Sequence, residues 1–362
     1  MKEKKKNILY LTKTMGIGGT EKVIMQLCRN FLNDFDKIIV CSKGGVHEEE
    51  LQRLGIKTYN IPDFDDKNIV NIIRTVKILI KIIKEEDIGI IHTHHRMAAL
   101  YSKFLKKFFD FSIIHTMHNT FIDKKFLTKL ALKDIRIIAV GESVRKNLID
   151  FYNIDESKIS IIYNGVEMDT KIKDEIEEIS KHRNQNIFCV GNIGRLSEQK
   201  GMKYFIEACK IIKDKEMKMR FFIIGDGELK SELIRYCKEL DLINDVIFLG
   251  YRSDISNIIN SLDLIAISSL WEGLPLTPIE VFMNKKTIVA TNVEGTLEIV
   301  KDNYNGLVVK KRSSENLAEA IIKLYNDREL IRKFEENAYE TYINNFSIDR
   351  FIYGYREIYN NE

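Results

Sequence analysis

The chain has 362 residues, 44% of them hydrophobic and 30% charged, with a net charge of +3. That is the profile of a folded protein long enough for two domains, not of a disordered or fibrous one. Five scattered cysteines (Cys28, Cys41, Cys189, Cys209, Cys237) form no Cys-x-x-Cys pair, which argues for a reducing compartment over a disulfide scaffold or zinc site.

No run approaches 18 apolar residues, and the apolar stretch behind the basic start at 1–6 is too short for a signal peptide. A cytoplasmic protein is expected. Strand-like runs fall at 7–12, 37–41, 56–61, 88–93, 112–117, 135–140 and 159–163, with helical patterns between most of them. This alternation predicts a parallel sheet wrapped in helices over residues 1–165. Residues 166–185 are highly charged, lose the pattern and read as a linker with some helix. The alternation restarts over 186–345, with strands at 187–190, 219–224, 246–249, 262–267, 287–290 and 307–309. The expected fold is therefore two consecutive doubly wound α/β domains facing a cleft, followed by a helix near 346–359. Charge is uneven: +8 through Gly165 and −5 from Val166. The basic half fits either an anionic partner or a solvated lysine-rich surface.

Several loops carry chemistry. Gly16-Ile17-Gly18-Gly19-Thr20-Glu21 follows the first strand and opens the first helix, where backbone can approach a ligand and the helix N-terminus suits phosphate. Its spacing is not Gly-x-Gly-x-x-Gly, which disfavours a dinucleotide dehydrogenase. In His92-Thr93-His94-His95, His92 and His94 share one strand face and His95 takes the other. His118 lies just past the strand 112–117 and is expected to face the cleft, or to be a packed histidine. Asp63-Phe64-Asp65 precedes a helix start, which favours acids without any metal.

In the second half, Arg195 and Lys200 flank the loop after the first strand, a fork and a point charge that could hold a diphosphate. Gly225-Asp226-Gly227 repeats the glycine turn after the next strand. The stretch 268–280 is the expected working centre: a buried strand, a polar loop with Glu272, then Thr277 as N-cap, Pro278 at the first helical position and Glu280 closing a capping box. Glu280 is read there either as a cap or as a ligand contact.

Taken in order, Gly18-Gly19-Thr20-Glu21, His118, Tyr163-Asn164-Gly165-Val166-Glu167, Gly194-Arg195-Leu196 with Lys200-Gly201, and Ile224-Gly225-Asp226-Gly227 form a set. Phe248-Leu249-Gly250, Glu272-Gly273-Leu274-Pro275 with Glu280, and Asn305-Gly306-Leu307 complete it. The set resembles the retaining GT-B glycosyltransferases of family 4, also called group 1, and it spans nearly the whole chain.

The resemblance implies a UDP- or GDP-sugar donor held mainly by the second domain. Arg195 and Lys200 would hold the diphosphate, Glu280 the ribose hydroxyls and Glu272 a donor-sugar hydroxyl, with Gly225, Gly273 and Leu274 lining the donor. Gly18, Gly19 and His118 would approach from the first domain, and the helix at 346–362 would return to that domain. Catalytic weight falls on His118, Glu272, Arg195 and Lys200, with no metal and no cofactor, because cations can offset leaving-group charge. The acceptor would be a saccharide or lipid-linked saccharide in cell-surface polysaccharide or glycolipid assembly; nucleic acid is not expected. Val281-Phe282-Met283-Asn284, Lys286-Thr287 and Glu294 depart from the family pattern near the donor. A sugar-nucleotide 2-epimerase and a non-catalytic nucleotide-sugar-binding protein are the rival readings.

Arg74, Lys77, Lys81 and Lys84 on one helix face read either as a surface for peripheral docking on an anionic membrane or as ordinary solvated lysines, with Ile73, Ile80 and Ile83 on another face that reads as core. Lys103, Lys106 and Lys107 interleave with Phe104, Phe108 and Phe109, and Lys124, Lys125, Lys129 and Lys133 follow.

Overall fold

A computed structural model describes residues 6–66, 68–167 and 175–362. It divides into two compact units, Met1–Asn164 with Phe351–Glu362, and Gly165–Arg350. The basic start at 1–5 and residues 168–174 of the expected linker lie outside the described residues. The rest of that stretch, 175–185, belongs to the second unit. There the helix Glu177–Arg183 buries Ile179, and the Ile176 amide donates to Ser261 Oγ at 3.0 Å. Its charges gave a linker-like composition, but Ile176 and Ile179 tie it to the core.

The first unit holds seven strands: β1 (Asn7–Leu11), β2 (Lys37–Ser42), β3 (Lys57–Asn60), β4 (Ile88–Thr93), β5 (Ser112–Met117), β6 (Arg136–Ala139) and β7 (Ile159–Ile161). They pair in parallel in the order β3-β2-β1-β4-β5-β6-β7. The second unit holds six: β8 (Phe188–Ile193), β9 (Met219–Ile224), β10 (Val246–Gly250), β11 (Leu264–Ile267), β12 (Ile288–Thr291) and β13 (Leu307–Val309). Their order is β10-β9-β8-β11-β12-β13, again all parallel.

Continuous apolar runs such as Ile8-Leu9-Tyr10-Leu11 and Leu264-Ile265-Ala266-Ile267 are buried throughout, as strands covered by helices on both faces must be. In both sheets the chain reverses its direction of growth beside the first strand, between β1 and β4 and between β8 and β11. The C-terminal ends of strands at such a switch point are where parallel sheets leave room for a ligand.

Phe351–Glu362 completes the first unit. The helix Ile348–Asn360 buries Phe351, Tyr355, Ile358 and Tyr359. Tyr359 Oη lies 3.1 Å from Tyr10 Oη and 2.7 Å from His92 Nδ1, and Tyr355 Oη lies 3.1 Å from Thr116 Oγ1. Among the described residues no helix is long and apolar enough to cross a membrane. All five cysteines are free and buried.

Candidate active site

The switch point of the second sheet is built from two loops that touch through backbone. The loop after β8 carries Gly194, Arg195 and Lys200, and it ends at Gly201 in the left-handed region, φ 57°. A Cβ on Gly201 would stand 2.3 Å from the Ser268 carbonyl oxygen, so only glycine lets this loop lie against the one after β11. Hydrogen bonds stitch the two together: Leu270 N to Gln199 O at 2.8 Å, Ser268 Oγ to Lys200 O at 2.9 Å and Asn192 Nδ2 to Ser268 Oγ at 3.0 Å. On the other side Gly225, φ 142°, passes so near Gly194 that a Cβ would reach its carbonyl oxygen at 1.9 Å.

This stitching brings Lys200 to Glu272. Lys200 Nζ is 2.5 Å from Glu272 Oε1, and the Glu272 side chain is only 6% exposed. Ser269 Oγ donates to the same carboxylate at 2.7 Å, and Gln199 Nε2 donates to its other oxygen at 3.2 Å. Gln199 also holds the Trp271 carbonyl at 3.0 Å. The buried charge is thus fully engaged, as its desolvation requires. Gly273 is pressed from behind by Gly295, where a Cβ would fall 1.9 Å from the Gly273 oxygen. Gln199, Ser269 and Gly295 were not singled out in the sequence. Each supports a neighbour, and only the spacing of Ser269 three residues before Glu272 hinted at a local contact.

Arg195 is not drawn into this pair. Its side chain is 70% exposed, with Nε 3.6 Å from Glu228 Oε2, a separation at which a solvated ion pair contributes little. It is an exposed cation at the rim of the loop.

The capping-box reading of Glu280 is corrected. The helix runs Leu276–Met283 with Pro275 at the N-cap and no side-chain cap. Pro278 is therefore the third helical residue, tolerated because first-turn amides have no intrahelical partner. Glu280 sits one position past the first turn, 9% exposed, and its carbonyl receives Asn284 Nδ2 at 2.8 Å. Thr277 begins nothing.

In the first unit, Gly19 is the first residue of the helix Gly19–Asn30 and Gly18 its N-cap. A Cβ on Gly18 would meet Glu21 Oε2 at 2.4 Å. β4 ends at Thr93, so His94 and His95 lie past the strand and the alternating-face reading holds only for His92. His95 instead caps the helix Arg96–Leu105, accepting from Met97 N at 3.3 Å, and stacks on Phe64. His118, half-buried just after β5, bonds through Nε2 to His94 Nδ1 at 2.9 Å. Burial drives the imidazoles of His92 and His94 well below their ordinary value and those of His115 and His118 down to about 3, so all four are neutral near pH 7. Asp63 accepts from Lys43 Nζ at 2.9 Å, and Asp65 pairs with Lys13. Among the described residues no group of three or more His, Cys, Asp or Glu is placed to hold a metal ion.

Two all-parallel α/β units, each with a switch point beside its first strand, have the architecture of a GT-B glycosyltransferase. A sequence model of Glycosyltransferase Family 4 matches residues 17–170, and one of Glycosyl transferases group 1 matches 172–341. The chain belongs to this family. It is 26% identical to the UDP-Gal:alpha-D-GlcNAc-diphosphoundecaprenol alpha-1,3-galactosyltransferase of Escherichia coli over 95% of this chain and 94% of that one. It is 26% identical to the N,N'-diacetylbacillosaminyl-diphospho-undecaprenol alpha-1,3-N-acetylgalactosaminyltransferase of Campylobacter jejuni, over 84% and 85%. In fold it is similar to Anabaena Alr3699/HepE, solved with UDP-glucose, at a TM-score of 0.85 and 21% identity, covering 99% and 100% of the two chains.

Proposed function

We propose that the chain moves a sugar from a nucleotide-diphosphate sugar to a hydroxyl of a saccharide or lipid-linked saccharide, with retention at the anomeric carbon and without a metal. The observation that carries this is the Lys200–Glu272 pair at the switch point of the second sheet. A diphosphate arriving beside Lys200 competes with Glu272 for the ammonium, and Arg195 is free to swing onto the same phosphates. Glu272, still held by Ser269 and Gln199, then turns its released lone pairs to a donor-sugar hydroxyl, with Gly273 and Leu274 beside it. Glu280 accepts the ribose hydroxyls, and Gly225 lets backbone come close to the phosphates. The first unit's donor contacts are assigned to Gly18, Gly19 and His118.

The acceptor oxygen attacks the anomeric carbon from the face the diphosphate leaves, and its proton passes to a departing phosphate oxygen. No carboxylate nucleophile is needed. Cations offset the charge developing on the leaving group. The undecaprenyl-diphosphate acceptors named for two relatives, and the UDP-glucose bound to a structural neighbour, support a lipid-linked acceptor and a UDP-sugar ahead of a GDP-sugar.

The test is a panel of nucleotide sugars and lipid-linked saccharides, read as nucleoside diphosphate and product. Transfer should continue in saturating EDTA, the new glycoside should keep the donor's anomeric configuration, and Arg195→Ala should slow transfer by about tenfold. Free nucleotide without a glycoside would point to the epimerase, and binding without turnover to a non-catalytic protein. Loss of activity in EDTA, restored by Mn²⁺, would overturn the metal-free mechanism and return attention to Asp63 and Asp65.

The same reading places the protein peripherally on the inner face of the cell membrane. Arg74, Lys77, Lys81 and Lys84 are exposed as expected; Ile83 is buried and Ile80 half-buried, while Ile69, Val70 and Ile73 are exposed at the start of the helix Ile69–Glu85. The more informative face is the helix Lys125–Leu132 and the turn before it, where Ile122, Phe126, Leu127 and Leu130 are exposed, Phe126 by 78%. Lys124 and Lys125 flank them, and Phe104 on the adjacent helix Arg96–Leu105 and Phe108 in the turn after it stand exposed. Apolar side chains ringed by lysines suit an anionic interface. Lys103 and Lys106 are less available, being bonded to the Lys133 and Phe111 carbonyls.

Vesicles with anionic lipid should therefore sediment the protein and neutral ones should not. Phe126→Ser with Leu130→Ser should abolish binding, and salt should weaken it. Equal recovery in every supernatant would mean that the acceptor is met in solution.

A further inference from the structure

His94 has one ring nitrogen on His118 and the other, Nε2, buried without a hydrogen-bond partner. The His94 and His118 rings are nearly parallel, 23° apart with centroids at 5.2 Å. His94 is wedged in place by the His92 ring at 4.3 Å and the Tyr10 ring at 6.0 Å. His92 is itself pinned at both nitrogens, by Tyr359 and by Thr116. The His94 amide is anchored to Leu11 O at 2.9 Å, which ties the residue to the end of β1. Neither ring of the pair is charged near neutral pH, so a single proton lies between them and two arrangements are available.

In the first, His94 donates from Nδ1 and leaves only a bare lone pair at its buried Nε2. In the second, His118 donates from Nε2, and His94 must then carry an N–H at a buried nitrogen that meets no acceptor. Orphaned buried N–H groups are rarer than under-satisfied acceptors because their desolvation is not recovered. The first arrangement wins. It makes His118 Nε2 an acceptor and puts the His118 proton on Nδ1, the nitrogen without a partner among the described residues.

We propose that His94 is a positioning residue that fixes the tautomer of His118, so that His118 presents a neutral Nδ1–H donor to an oxygen of the nucleotide-sugar. This rests on the assignment of His118 to the donor. His118 then acts as an oriented hydrogen-bond donor and not as a base. A carboxylate at position 118 would not reproduce that directed N–H.

The experiment is nitrogen-15 imidazole spectroscopy on the full chain at pH 7, with kinetics on the same samples. Wild type should show His118 protonated at Nδ1 and bare at Nε2. In His94→Ala, His118 should relax toward the Nε2–H tautomer ordinary for a solvated imidazole, with donor kcat/KM falling roughly five- to tenfold. His94→Asn keeps a side-chain N–H near the Nδ1 position and should restore both the tautomer and most of the rate. His94→Ala should add little in a His118→Ala background, since the two act as one unit.

A wild-type His118 with its proton on Nε2 would overturn the proposal even if no variant folded, and so would an unchanged tautomer in His94→Ala. A correct tautomer together with full activity in His118→Ala would leave the histidine pair standing and remove His118 from the donor site instead.

Discussion

Lys200→Ala is expected to lose both activity and stability, and the two losses separate in the double variant. Removing the ammonium strands Glu272, whose side chain is 6% exposed, with only Ser269 and Gln199 as partners. Breaking a buried pair from one side costs about 3–5 kcal/mol, and roughly 3 is expected here because Lys200 keeps a fifth of its side chain in solvent. Transfer should fall at least about tenfold as the diphosphate loses a charge-assisted contact. Glu272→Gln alone should be milder in stability, since an amide can still accept from Lys200. Lys200→Ala with Glu272→Gln should recover most of the stability and none of the activity. Urea unfolding of the second unit and single-turnover kinetics measure the two quantities. Wild-type behaviour of Lys200→Ala in both would show that this pair is neither structural nor catalytic.

Acid is expected to weaken the first unit long before the second. Burial depresses the imidazoles of His92, His94, His115 and His118 below their unfolded value, so between pH 6.5 and about 3 the unfolded chain binds more protons than the folded one. Stability is fully present above pH 6.5 and is lost as the pH falls, by up to about 1.4 kcal/mol per pH unit for each such group. The groups packed around them (Tyr10, Tyr355, Tyr359, Thr93 and Thr116) carry no charge to offset a proton in this range. Glu86, held down to about 2 chiefly by Lys57 and Tyr59, adds its own loss only below about pH 4.5. The second unit has one histidine, His182.

Urea midpoints at pH 7 and pH 5 should therefore drop steeply for the first unit and little for the second. His115→Gln should flatten the slope. Parallel slopes for the two units would mean that water already reaches the cluster.

The sheets were legible because parallel strands covered on both faces show as unbroken apolar runs, and Ser112–Met117, Met219–Ile224 and Leu307–Val309 begin and end where those runs do. The site was legible residue by residue but not in its connections. Lys200 and Glu272 stood out singly, whereas their contact depends on Gly201 letting two distant loops touch. The start of the helix at Leu276 was misjudged because Thr-Pro-x-Glu imitates a capping box, while the true N-cap, Pro275, has no side-chain signature. His94 was visible only as part of a histidine run; its partner lies 24 residues away on the next strand's end. The exposed Phe126 and Leu130 escaped because a helix of eight residues has too few turns to show which face is buried.

The return of Phe351–Glu362 to the first unit has a consequence for biosynthesis. Tyr359 caps Tyr10 and His92, yet it is translated only after the whole of Gly165–Arg350. At ~5–20 residues per second that interval is roughly ten to forty seconds. Throughout it the nascent first sheet lacks the aromatic plug over β1 and β4, so its histidines are wet and open to protonation. The second unit, whose residues are contiguous in the chain, closes without any later segment, whereas the N-terminal half waits for a strap translated after it.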